Sequence, residues 1–126
     1  MTRDAVHASD APAAVGPYSH AVRTGRLVYL SGQTPIDPAT GTLVTGDVGE
    51  QTRRVFANLG AVLAAAGLSF ADVVKANVYL TDMADFATMN QVYGETFTEP
   101  FPARTTVAVA ALPLGAAVEI EVVAQS

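Results

Sequence analysis

The stretch EPFPARTTVAVAALP, residues 99–113, carries one permanent cation, Arg104, into a run that is otherwise almost wholly apolar. A guanidinium entering a buried strand is costly unless an anion meets it. Extended-chain alternation puts Arg104, Thr106, Ala108 and Ala110 on one face. In AVEIEVVA, residues 117–124, Glu119 and Glu121 share a face, while Val118, Ile120 and Val122 take the other. A hairpin between these segments has one apolar side and one side carrying Arg and Glu. Two accounts fit this pattern. One is a structural ion pair, or a polar solvent-facing side of an antiparallel sheet. The other is a cleft in which Arg104 grips a small carboxylate with two parallel hydrogen bonds, while a glutamate handles water or protons. Pattern alone leaves both open.

LSGQTP, residues 30–35, bears on the choice. A glycine just after a strand, flanked by Ser31 and Gln33, lets a ligand approach the backbone and its N–H donors. The plainer alternative is a strand-ending turn.

Other chemistries find little support. The chain has no cysteine, which removes disulfides, thiolate metal sites and a cysteine nucleophile. Its two histidines, His7 and His20, have no metal-ligand spacing and are expected to be exposed or locally hydrogen-bonded. Ser31 is outside any GxSxG elbow, and no GxGxxG or GxxxxGK[ST] loop occurs. Lys75, the single lysine, lies within a strand pattern and is expected to be structural rather than a Schiff base. The net charge of −5, with seven Lys and Arg, argues against phosphate-backbone binding, and the Arg53–Arg54 pair suits a solvated helix face. No run approaches a membrane span, and the N-terminal stretch lacks the apolar core of a signal peptide, which points to the cytoplasm.

These residues need elements to hold them. The 126 residues match the size of one domain, half of them are hydrophobic, and only 15% are charged. So lean a charge content suggests that some surface is buried in an oligomer. Residues 1–16 read as an irregular lead-in. SHAVRTGRLVYLSGQ reads as two strands around a turn at Thr24–Gly25, and TPIDPATGTLV as a loop. GDVGEQTRRVFANLGAVLAAAG is a helix, with Val48, Val55, Leu59, Val62, Leu63 and Ala66 at helical spacing. Asp47 with Glu50 resembles a capping box, and Gly67 stands where a C-terminal glycine belongs. A strand is expected over Val73 to Leu80. A second helix follows, capped at Asp82, with Phe86, Met89, Tyr93 and Phe97 on one face. The last two strands, Arg104 to Ala110 and Ala117 to Ala124, are expected to form a hairpin around Leu112–Gly115. The order is ββαβαββ, an α+β arrangement with two helices on one sheet face. The opposite face then needs a cover.

The stretches APAAVGPYSHAV (11–22), VYLSGQTPIDPATG (28–41), AAAGLSFADVVKANVYLTDMADFATMNQVYGETF (64–97) and FPARTTVAVAALPLGAAVEIEVVA (101–124) resemble the RidA proteins, the YjgF/YER057c/UK114 family. The resemblance covers nearly the whole chain and is most specific around PARTTVAVAALPLGAAVEIE. It implies a single RidA-like domain over 1–126 with a chorismate-mutase-like fold. It also implies a homotrimer with clefts between subunits, no metal or organic cofactor, and hydrolysis of reactive enamines and imines to 2-keto acids and ammonia. It assigns Arg104 to the substrate carboxylate and Glu119 to the attacking water. Tyr18 and Asn90 become cleft-lining positions, Ser31 and Gly32 the turn beside the ligand, and Phe86 a hydrophobic wall. Thr106 departs from the bacterial archetype, where cysteine is common, so no thiol can act there. The alternatives on the same scaffold are a non-catalytic ketoacid-binding trimer and a chaperone-like interaction surface.

Overall fold

The computed structural model describes residues 2–126. The strands are β1 (Asp4–Val6), β2 (Ala21–Thr24), β3 (Leu27–Leu30), β4 (Ile36–Asp37), β5 (Thr42–Leu43), β6 (Val73–Leu80), β7 (Ala103–Ala108) and β8 (Val118–Gln125). The helices are α1 (Val48–Ala65), between β5 and β6, and α2 (Phe86–Thr96), between β6 and β7. Six strands form one mixed sheet in the order β1-β2-β3-β8-β6-β7, and β4 pairs with β5 in a separate ribbon.

Two segments expected to be irregular contain strands. β1 lies in the lead-in and extends the sheet by pairing with β2, and the 34–44 loop holds the β4–β5 ribbon. A larger correction concerns the C-terminal half. β7 and β8 do not form a hairpin. β6 lies between them, parallel to β7 and antiparallel to β8. The α2 crossover returns the chain in the direction of β6, as a parallel neighbour requires. Residues 109–117, with Pro113 in a 3-10 turn and Leu114 and Gly115 at positive φ, then carry the chain past β6 to its other side.

α1 forms where its caps and apolar stripe agree. The Asp47 carboxylate accepts the Glu50 N–H at 3.0 Å, satisfying a donor of the first turn. At the other end Gly67 takes φ +77°, its N–H reaches the Ala64 carbonyl, and the Leu68 N–H reaches Leu63. This left-handed turn uses the last free carbonyls of the helix. Asp82 caps a 3-10 turn, Met83–Asp85, that leads into α2, rather than α2 itself.

Val55, Leu59, Val62 and Leu63 of α1 and Met89, Val92 and Tyr93 of α2 are buried with Val28, Leu30, Ala76, Val78, Leu80, Val118, Ile120 and Val122. Each such large apolar side chain contributes about 1.5–3 kcal/mol relative to exposure. Asn58 is fully buried within this layer. Its amide donates to the Thr34 and Ile36 carbonyls, and its oxygen accepts both Arg54 Nε and Nη2. It thereby ties α1 to the segment entering β4. No helix among the described residues is long and apolar enough to cross a membrane.

Candidate functional site

Alternation along β6, β7 and β8 fixes where each polar side chain goes. Arg104 pairs in register with Ala76, and Ala76 with Val122, both buried under the helices. Glu119 pairs with Tyr79, and Tyr79 with Val107, on the uncovered face. Arg104 and Glu119 therefore leave the sheet on opposite faces. The expectation that they share a side fails for one reason: it assumed that β7 and β8 are direct partners.

On the helix side, Arg104 sits at the sheet edge against α2. Its Nη1 donates to Asn90 Oδ1 at 2.7 Å. The guanidinium carbon lies 4.6 Å from the Tyr93 ring centre and 5.6 Å from that of Phe86. Both distances fall within cation–π range, and the two rings hold the planar group in place. Among the described residues no carboxylate pairs with it; the one ion pair is the exposed Arg53–Glu95 contact. Most of the guanidinium's five donors thus have no acceptor among the described residues. Arg104, Asn90, Tyr93, Gly94, Phe101 and Pro102 line an open cavity of about 430 Å³. Thr106 follows on the same face, its hydroxyl buried without a partner. The Tyr93 hydroxyl is likewise buried and unpartnered, and burial raises its pKa against the lowering effect of Arg104. Tyr93 reads in the sequence as a core residue, and its helical phase gives no sign that it also faces Arg104.

On the other side, the Glu119 carboxylate lies against Gly32. A Cβ at position 32 would fall 2.2 Å from Glu119 Oε2, so only glycine lets the carboxylate lie there. Ser31 is fixed beside it: its hydroxyl donates to the Ser19 carbonyl at 2.7 Å and its N–H to the His20 carbonyl at 3.0 Å. Tyr18, Gly32, Pro12, Val15, Ile36 and Leu114 line part of a cavity of about 400 Å³. Burial, and then the charge of Glu121, push the Glu119 carboxyl above the ordinary 4.5. The Tyr79 hydroxyl donates to Glu121, and that bond, with burial, pushes the phenol up to about 12.

The eight residues singled out from the sequence thus fall into two groups. Arg104, Phe86, Asn90 and Thr106 gather on the helix side; Glu119, Gly32, Ser31 and Tyr18 gather on the other. No group of three His, Asp or Glu side chains among the described residues is placed to hold a metal ion.

Fold and geometry define a small α+β protein with helices on one face of a mixed sheet and two polar clusters divided between its faces. The family described as Endoribonuclease L-PSP, the RidA/YjgF family, matches residues 8–126, and the chain belongs to it. It is 54% identical to Protein DfrA of Myxococcus xanthus, over 100% of this chain and 98% of that one. It is 49% identical to the 2-iminobutanoate/2-iminopropanoate deaminase of Bos taurus, over 98% of this chain and 90% of the relative. The crystal structure of RidA from the Antarctic bacterium Psychrobacter sp. PAMC 21119 superposes with a TM-score of 0.94 at 49% identity, covering 98% of this chain and 99% of that one.

Proposed function

We propose that the chain is a cofactor-independent imine deaminase of the cytoplasm. It takes 2-aminoacrylate, 2-iminopropanoate and 2-iminobutanoate to 2-keto acids and ammonia. The observation that carries this reading is the Arg104 guanidinium, braced by a neutral amide and two aromatic rings and left without a carboxylate of its own. A planar fork held in this way suits a small carboxylate brought from outside. The reaction named for the bovine relative supplies a substrate of that kind.

The chemistry needs little beyond placement. The enamine tautomerises to the imine, and Arg104 fixes the carboxylate so that the C=N carbon faces a water. Glu119 takes a proton from that water as its oxygen bonds to the carbon. The proton then serves the nitrogen, and the carbinolamine collapses to the ketone and ammonia. Burial, and then Glu121, raise the Glu119 carboxyl above its ordinary value, which makes it a better proton acceptor than a free glutamate.

Arg104 and Glu119 diverge within one chain, so a cleft containing both takes Arg104 from one copy and Glu119 from the next. A cyclic homotrimer accomplishes this with one repeated interface, and its clefts lie between subunits. The uncovered sheet face, with Tyr29 and Val107 among its exposed apolar residues, supports such packing. Tyr18, Ser31 and Gly32 then line the Glu119 side, and Phe86, Asn90 and Thr106 the Arg104 side.

The test is to generate 2-iminopropanoate from serine with a dehydratase and follow its decay. The protein is expected to accelerate decay, and Arg104→Ala to lose about a hundredfold or more in kcat/KM. Unchanged decay, or full activity in Arg104→Ala, overturns the reading. Ketoacid binding by calorimetry without faster decay would instead identify a non-catalytic binding protein.

A further inference from the structure

His20 is 97% buried, and neither the ion pairs nor the proposed chemistry use its side chain (its exposure is 3%). Its ring nitrogens are both engaged. Nδ1 accepts the Ala8 backbone N–H at 2.9 Å, and Nε2 lies 2.8 Å from the Pro12 carbonyl oxygen. An amide N–H can only donate and a carbonyl oxygen can only accept. The imidazole must therefore be neutral, with its proton on Nε2. Its own backbone carbonyl accepts the Ser31 N–H. One residue thus joins the lead-in at Ala8 and Pro12 to the Ser31–Gly32 turn. The chain between these ties, residues 12–18, supplies Pro12, Ala13, Val15 and Tyr18 to the cavity on the Glu119 side.

We propose that His20 is a positioning residue that holds the Pro12–Tyr18 wall of the cleft, and that it does so only as the neutral imidazole. This rests on the cleft reading above. Protonation puts an N–H on Nδ1, directly facing the Ala8 N–H. Two donors then confront each other at a buried site, and the tie to Ala8 is lost. The Pro12 contact survives, since Nε2 donates in both forms. Acidification therefore loosens the wall from its Ala8 end without unfolding the sheet. His7 stacks on the ring with centroids 5.2 Å apart. Asp10, between Ala8 and Pro12 in sequence, lies with His7 in a groove against Ala61, Ala64 and Ala65 of α1, so these two are the titratable groups named beside the tie.

The experiment uses the full chain, with two variants. His20→Gln keeps one acceptor and one donor in similar places and does not titrate; His20→Leu keeps neither. In 15N-labelled wild type at about pH 8, the ring is expected as the Nε2–H tautomer and the Ala8 amide as protected from exchange. Between about pH 8 and pH 5 that protection is expected to fall at least tenfold in wild type and to hold in His20→Gln. In imine turnover, His20→Leu is expected to raise KM about tenfold with kcat within about twofold, and His20→Gln to restore KM. The wild-type to Gln ratio of KM is expected to rise on acidification; both proteins share the protonation of Glu119, so the ratio isolates His20. An Nδ1–H tautomer, a pH-independent Ala8 amide in wild type, or an unrestored KM in His20→Gln overturns the proposal. The tautomer and exchange measurements need no substrate, so a chain that turned over no imine would defeat the deaminase reading while still testing this tie.

Discussion

The two faces of the central sheet are made by the same strands and carry opposite kinds of chemistry. On the covered face, Val28, Val78, Leu80, Val118, Ile120 and Val122 meet the helices, and the polar exceptions enter from the β7 edge at Arg104 and Thr106. On the uncovered face, Lys75 bonds Thr105, Tyr79 bonds Glu121, and Glu119 lies half-buried beside a second carboxylate. The first face is a finished core with a prepared cation at its rim. The second is a polar network whose glutamate is already disfavoured as an anion before anything binds. A residue-by-residue alternation has therefore split the groups of the proposed chemistry between two places that a single copy cannot bring together. The difference between the faces makes association of copies a condition of the proposed chemistry.

The largest effect comes from mixing two dead halves. Arg104→Ala and Glu119→Gln are each expected to lose about a hundredfold or more in kcat/KM. If each cleft takes Arg104 from one copy and Glu119 from its neighbour, the two variants complement each other. In the proposed trimer, unfolding and refolding an equal mixture leaves about a quarter of the clefts with an intact Arg104 facing an intact Glu119. Activity near a quarter of wild type is expected, against near zero for either variant refolded alone. A mixture as inactive as its parents would rule out a cleft shared between copies.

The sequence shows much of each face and little of the relation between them. The phase of Arg104 and Thr106 within β7, and of Glu119 and Glu121 within β8, follows from alternation and holds in the structure. Alternation says which residues in a strand share a face; it does not say which strand lies alongside. The insertion of β6 between β7 and β8 depends on the α2 crossover and on the path of residues 109–117, which short-range pattern does not encode. β1, β4 and β5 are too short to display an alternation at all. The α1 caps at Asp47 and Gly67 and the full extent of β6 were legible because each depends on neighbours in sequence. Asn58 offered a usable signal: an amide beside Leu59 in the apolar stripe of α1 must find buried partners, and it finds them at Thr34 and Ile36. His20 offered none, because its partners Ala8 and Pro12 contribute only backbone atoms.

A middle-sized effect sharpens the uncovered half alone. Gly32→Ala places a Cβ 2.2 Å from Glu119 Oε2 and 3.1 Å from its carboxyl carbon, so the side chain must swing away. The backbone at Gly32 is not in the left-handed region, and the fold has no reason to object. The expected result is a fall of about tenfold in kcat/KM with thermal stability nearly unchanged. Thermal melts and imine-decay kinetics on the same preparation check both halves of the statement. Full activity would mean that the position of Glu119 over Gly32 has no part in the reaction.

The smallest effect tests the electrostatics of that face. Burial, and then Glu121, hold the Glu119 carboxyl above its ordinary value, so the folded chain favours its protonated form. Below the ordinary glutamate range both folded and unfolded chains are protonated there, and the group contributes nothing to pH dependence. As pH rises through the raised value, ionising Glu119 withdraws stability, and the same ionisation creates the base of the proposed reaction. Activity is therefore expected to rise with pH along a limb that lies above the usual carboxylate range. Glu121→Gln removes the neighbouring charge and leaves an amide oxygen for the Tyr79 hydroxyl. Glu119 then ionises more easily, so the limb moves to lower pH while the plateau changes little. Profiles of kcat/KM against pH for the two proteins, with a carbon-13 titration of Glu119, decide the matter. A limb that stays in place or moves upward would take the base away from Glu119 and leave Arg104 as the only half of the site with a chemical role.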